Sequence, residues 1–158
     1  MEINADTGNY VEGKDGQLYY SRPGLWTHAQ GKSLCASEGA SLLIIESETK
    51  QKYVDEDYKD RSIWLALYDV DGRNQRYEWV KGDETSMPLG YTNWGANEPN
   101  FPLELCVVNT PTGKWTDVYC HIPSEVICQK PKAGKFFLAE THISCGFENL
   151  VLRCKIMS

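Results

Sequence analysis

Hydrophobic positions along the chain carry helical signals early and short apolar runs late. Residues 1–16 are a polar, Gly-containing lead-in, and Leu18–Tyr20 reads as a short strand. Thr27 and Gln30 have the spacing of a capping box, and Gly39 stands where a helix would stop, so a helix is expected between them. Leu42, Leu43, Ile44 and Ile45 form a continuous apolar run within Ser41–Glu46, the pattern of a buried strand. Ser47 then caps a second helix, with Tyr53, Val54 and Tyr58 as its apolar stripe.

Further on, Ile63–Leu67 reads as a central strand, and Arg76–Lys81 alternates around Tyr77 and Trp79. Periodicity fades from Gly82 to Leu103, where Gly, Pro, Asn and Thr accumulate. A loop that long inside a compact domain is usually functional or disordered. Strands return at Glu104–Asn109, Lys114–Val118 and Glu125–Lys130, the first two joined by a Pro111-Thr112-Gly113 turn. Lys130–Lys135 looks like a linker, and no repeat occurs. Helices before strands, around one long loop, predict an α+β domain over residues 17–130 followed by a tail at 131–158.

The length of 158 residues fits one domain plus a short appendage, and 41% hydrophobic residues suffice for a core. A formal net charge of -6 argues against nucleic acid and against an anionic membrane surface, both of which need a basic face. The same acids suit a hard cation such as Ca²⁺. No apolar run approaches the ~20 residues of a membrane span. Met1 to Asn9 is polar and acidic, without the apolar segment of a secretory signal peptide.

The six cysteines are Cys35, Cys106, Cys120, Cys128, Cys145 and Cys154, an even count that fits disulfides and an oxidising compartment. No C-x₂-C pair occurs, and His121 directly follows Cys120, a spacing unsuited to tetrahedral zinc. Neither G-x-S-x-G nor H-E-x-x-H occurs, and no enzyme is expected. Tyr68-Asp69-Val70-Asp71-Gly72 begins like a calcium loop but lacks the later acidic ligand.

Four motifs follow in order: Trp64-Leu65-Ala66-Leu67, Asn93-Trp94, Glu98-Pro99-Asn100, and Trp115-Thr116-Asp117 shortly before Cys120. Together with Cys35, Cys106, Cys120 and Cys128, they resemble the C-type lectin domain family over roughly residues 17–130. The resemblance implies a C-type lectin-like fold with two helices, short antiparallel sheets and a long ligand-binding loop. It also implies Cys35–Cys128 and Cys106–Cys120 disulfides; bridges closing such loops typically contribute ~2–4 kcal/mol each. A cis peptide before Pro99 is implied too, with Glu98, Asn100, Glu104 and Asp117 as ligands of one Ca²⁺.

Six to eight oxygens suit that ion, and the same side chains would bind sugar hydroxyls. The sugar contacts implied are Glu98, Asn100, Glu104 and Thr116. The Glu-Pro-Asn form implies glycans with equatorial 3- and 4-hydroxyls: mannose, glucose, fucose-like or N-acetylglucosamine residues. An extracellular setting follows, secreted or on a membrane protein's ectodomain. The alternative is a metal-independent module of the same fold that binds a protein surface.

The chain departs from the family pattern at Thr116, where Asn is usual and serves as both metal ligand and sugar donor. Glu98 to Glu104 is two residues shorter than in the mannose-type pattern. Leu105 and Phe101 stand where acids are common, so an auxiliary Ca²⁺ site is expected to be lost, although Asp69 and Asp71 lie nearby in sequence. Phe101 is expected to pack within its loop, with sugar stacking as the alternative. Trp64, Trp79, Trp94 and Trp115 are expected in the core. In the tail, Phe136-Phe137-Leu138 and Leu150-Val151-Leu152 read as strands. Cys145-x₈-Cys154 resembles the opening of a sea-urchin-egg-type rhamnose- or galactose-binding lectin domain, a pairing of modules similar to polycystin-like membrane proteins. The alternative is a hairpin tail closed by a Cys145–Cys154 bond.

Overall fold

The capping box is formed: Thr27 accepts from the Gln30 backbone N–H, and the Gln30 side chain accepts from the Thr27 backbone. Helix α1 runs His28–Ala36 from this cap, and Gly39 turns the chain at φ 68°, a left-handed conformation that favours glycine. In this computed structural model, residues 9–133 are described together with the backbone of 142–148 and 151–157.

Ahead of α1 lie β1 (Val11–Glu12) and β2 (Gln17–Trp26). β2 is far longer than the three residues expected, because it pairs antiparallel with β9 (Ser124–Pro131) from Gln17↔Pro131 to Trp26↔Ser124. Pro23 and Gly24 fall where that register shifts, between Arg22 and Trp26, so the missing proline N–H does not break the ladder. The lead-in joins the fold through β1 and through Tyr10, which is buried.

The expected strand at Ser41–Glu46 shrinks to β3 (Ser41–Leu42). Beyond it the apolar run is buried, but its backbone partners change. Leu43 bridges Leu65, and the Ile44 N–H donates to the Gln129 side chain at 2.9 Å. Composition correctly marked this run as core and could not show that side chains would replace a ladder.

Helix α2 (Glu48–Asp57) starts at Ser47 as expected. Its inward face differs from the aromatic stripe: Lys50, Gln51 and Val54 are buried, while Tyr53 and Tyr58 are half-buried. The two polar residues are tolerated because both are bonded. Lys50 reaches Gln129 at 3.2 Å and Asp15 at 3.3 Å. Gln51 donates to Asn109 Oδ1 at 3.0 Å and accepts from Trp115 Nε1 at 2.9 Å. A buried polar group without such partners would cost ~1–3 kcal/mol.

β4 (Ile63–Asp69) is the central strand and carries the Trp-Leu-Ala-Leu motif fully inside. It pairs with β5 (Tyr77–Val80) on one side and with β7 (Cys106–Asn109) on the other, and touches β9 in parallel at Ile63↔Glu125. β6 (Ser86–Pro88) extends β5, and β8 (Trp115–Val118) extends β7. Trp64, Trp79 and Trp115 are the largest fully buried side chains, with Trp94 half-buried against them. Both disulfides form as the family resemblance implied: Cys35–Cys128 and Cys106–Cys120, each with a Cα separation of 5.2 Å. They tie α1 to β9 and β7 to the segment after β8.

Beyond the domain, β10 (His142–Glu148) and β11 (Val151–Met157) pair antiparallel, with Cys145 opposite Cys154. The segment Phe136–Leu138 and the side chains of Cys145 and Cys154 lie outside the described residues. Among the described residues, no helix is long and apolar enough to cross a membrane.

Candidate functional site

The long loop is anchored rather than loose, and β8 is the anchor. Trp115 N–H donates to Asn93 O at 2.9 Å, and Gly95 N–H donates to Trp115 O at 2.8 Å. Asn93 Nδ2 donates to Gly113 O at 2.6 Å, and Lys114 Nζ donates to Asn93 Oδ1 at 2.9 Å. Asn97 adopts a positive φ of 63° and turns the chain back before Glu98, whose N–H donates to Gly95 O at 3.1 Å.

The Glu98–Pro99 bond is cis, and Asn100 Nδ2 donates to Glu98 Oε1 at 2.8 Å. The acid and the amide therefore stand side by side. Glu98 Oε2 is buried and, among the described residues, has no hydrogen-bond partner. Such an atom is costly unless something positive or a donor meets it.

Asp117, on β8, closes the loop from beneath. Its Oδ1 accepts from the Asn100 N–H at 3.1 Å and its Oδ2 from the Phe101 N–H at 3.2 Å. Tyr77 donates its hydroxyl to Asp117 Oδ2 at 3.3 Å. Burial first, then the neighbouring Asp117 carboxyl and the Glu104 charge, push the Glu98 carboxyl above the usual carboxylate range. Burial and the Asp117 charge push Glu104 the same way.

The structure thus joins Glu98, Asn100 and Asp117 through direct bonds and the loop backbone, and brings Glu104 within range of their charge. Among the described residues, no group of three or more His, Cys, Asp or Glu side chains is close enough to hold a metal ion. Thr116, the fifth expected residue, donates its hydroxyl to the Asp117 carbonyl at 3.2 Å.

Asp69 and Asp71 are engaged elsewhere. Asp69 is buried and accepts from the N–H groups of Asp71, Gln75 and Arg76 at 3.1, 3.0 and 3.2 Å. Asp71 pairs with Arg76 at 3.1 Å. Phe101 departs from the expected loop packing: it remains 41% exposed, with its ring against Tyr119.

Two contributors escaped the sequence reading. Tyr77 registers there only as one beat of an alternating strand, and Asn93 only as part of a motif. Their partners lie 40 and 20 residues away, so no local signal could reveal them.

This fold and loop define a class of disulfide-braced domain in which a rigid scaffold displays an oxygen-rich loop. The Lectin C-type domain family matches residues 26–130. The chain belongs to the C-type lectin domain family, one of binding modules rather than enzymes.

Hepatic lectin of Gallus gallus is 31% identical over 119 residues, covering 74% of this chain and 56% of that protein. The chain spans about half the length of the first curated relatives it matches, 56% and 54% of theirs. The carbohydrate-recognition domain of the mouse scavenger receptor C-type lectin has a TM-score of 0.71 at 23% identity, over 81% of this chain and 98% of that one. The cow C-type carbohydrate-recognition domain of CD23, determined in the presence of a GlcNAc2Man3 oligosaccharide, has a TM-score of 0.69 at 26% identity. That match covers 80% of this chain and 95% of the other.

Proposed function

We propose that this domain binds glycans in a Ca²⁺-dependent manner through one site formed by Glu98, Asn100, Glu104 and Asp117, with Thr116 at its rim. The observation that carries the reading is the Glu98–Asn100 pair, with Glu98 Oε2 buried and lacking a hydrogen-bond partner among the described residues. Three carboxylates and an amide oxygen would supply the hard donor set that Ca²⁺ prefers, once the ion draws Glu98, Glu104 and Asp117 closer together than they now stand. The upward push on Glu98 and Glu104 comes first from burial and then from the neighbouring acids, and a divalent cation at this place would offset both.

Glu98 and Asn100 would accept from and donate to a pair of neighbouring sugar hydroxyls. Sugars with equatorial 3- and 4-hydroxyls, of the mannose, glucose and fucose type, are the ligands proposed. Single-site affinity is expected on the order of mM, since few hydroxyls are fixed and water competes. Several copies in one assembly would raise avidity. Two disulfides and a glycan-facing site suit an extracellular setting.

A second reading, a metal-independent module that binds a protein surface, draws on Thr116 and on Asp117. Thr116 lacks the amide, and both Asp117 oxygens already face backbone N–H groups. Calorimetry on the oxidised protein separates the two. Ca²⁺ heat followed by mannoside heat, abolished by chelator, supports the lectin. Silence in both titrations leaves the protein-binding module.

A further inference from the structure

We propose that Phe101 and Tyr119 form a second-ring subsite, which takes the neutral sugar ring adjoining the one held at Glu98 and Asn100. This rests on the sugar-binding reading above and extends it from a monosaccharide to an oligosaccharide.

Phe101 directly follows Asn100 in the chain. Its backbone N–H is held by Asp117 at 3.2 Å, while 41% of the residue remains exposed. Tyr119 lies two residues beyond Asp117 and is also 41% exposed. The two rings meet nearly edge to face, with centroids 6.2 Å apart and planes at 69°. His121 continues the row, its ring centroid 5.7 Å from that of Tyr119. The backbone beneath is braced. Cys120 is bonded to Cys106, and its carbonyl accepts from His28 N–H at 3.0 Å.

Single exposed hydrophobic side chains are ordinary on a protein surface. A row of rings that begins at the residue next to Asn100 and is anchored through its backbone has the makeup of a ligand wall. Its chemistry fits a sugar better than an alkyl chain. A pyranose has one apolar C–H face and a rim of hydroxyls. Phe101 offers an apolar face alone, whereas Tyr119 and His121 each add a polar tip that can bond a hydroxyl. The carboxylates of Glu98, Glu104 and Asp117 stand beside this row, which disfavours an acidic sugar and selects a neutral one.

The test compares methyl α-mannoside, a methyl α-dimannoside and octyl α-mannoside by calorimetry in Ca²⁺, on the wild type, Phe101→Ala and Tyr119→Ala. One stacked aromatic contact of ~0.5–1.5 kcal/mol corresponds to about a 2- to 12-fold gain. The dimannoside should show that gain over methyl α-mannoside on the wild type. Either substitution should erase it while leaving methyl α-mannoside affinity within about twofold, since both rings lie outside the first site. Equal affinity for the one- and two-ring ligands on the wild type overturns the subsite and leaves the sugar-binding reading standing. A larger gain for octyl α-mannoside, lost on Phe101→Ala, overturns it in favour of an apolar aglycone. Loss of methyl α-mannoside binding by the folded Phe101→Ala protein also overturns it, by placing Phe101 in the first site. No binding of methyl α-mannoside by the wild type defeats the sugar reading and the subsite together.

Discussion

The Tyr77 hydroxyl donates to Asp117 Oδ2 at 3.3 Å and lies 3.1 Å from the Glu104 carbonyl oxygen. One hydroxyl proton shared between two acceptors ties β5 to β8 and to the end of the long loop. The ring itself packs on Trp94, with centroids 5.1 Å apart. Burial, followed by the Asp117 charge, holds the phenol far above the ordinary tyrosine range. It therefore stays protonated, and able to donate, through the physiological range.

Tyr77→Phe keeps the ring and deletes that donor. Stability should fall by about 1–2 kcal/mol, the range for losing one buried hydrogen bond. Ca²⁺ affinity should fall several-fold, because Asp117 loses its side-chain partner. Thermal melting and Ca²⁺ calorimetry on the same sample measure both. Unchanged Ca²⁺ affinity would show that the hydroxyl does not align the cage.

Thr116→Asn supplies the longer carboxamide arm that Thr116 lacks. One added oxygen ligand should strengthen Ca²⁺ binding by roughly tenfold, the equivalent of ~1.4 kcal/mol. A matched rise in mannoside affinity is expected under saturating Ca²⁺. If neither constant moves, position 116 lies outside the coordination sphere.

Gln51 bridges α2 to the tryptophan that precedes Thr116. It accepts from Trp115 Nε1 at 2.9 Å and donates to Asn109 at 3.0 Å and Asp55 at 2.8 Å. Gln51→Leu fills the space and leaves Trp115 Nε1 and Asn109 Oδ1 buried without a partner. The expected cost is about 2–4 kcal/mol, read as a lower urea midpoint at constant slope. A shift below ~0.5 kcal/mol would mean that water replaces the amide there.

His28 makes the fold sensitive to acid. It is buried, with Nε2 3.2 Å from Leu65 O, and burial lowers its pKa to about 4. The unfolded chain binds this proton near pH 6.5. Stability from the neutral ring is therefore complete above that pH and drains away as the pH falls toward 4, by about 3 kcal/mol in total. His28→Gln retains an N–H donor and cannot titrate in this window. Its melting temperature should drop less than the wild type's between pH 7 and pH 5, and parallel losses would count against His28.

Much of this molecule was legible from the sequence because its signals are local. The Thr27–Gln30 cap, the Ser47 cap, the Ile63–Leu67 run and the spacing of Glu98-Pro99-Asn100 each act over a few residues. What stayed hidden was non-local. β2 gains most of its length from β9, roughly 100 residues away, which Gln17 and its neighbours do not announce. The inward face of α2 is polar, so a search for apolar stripes favoured Tyr53 and Tyr58 over Lys50 and Gln51. Asp117 was legible as a candidate ligand. That its two oxygens would capture the Asn100 and Phe101 N–H groups depends on how loop and strand meet in space.

Gln17 and Pro131 are partners at one end of the β2–β9 ladder. Once β1 has come away from β2, tension between those two residues would part the ladder one rung at a time. Rupture would begin at that seam and run toward Trp26 and Ser124. The Cys35–Cys128 bond would take the load once β2 and α1 had been drawn out as far as Cys35, leaving the chain between those two cysteines, the loop beside Asp117 included, under little load.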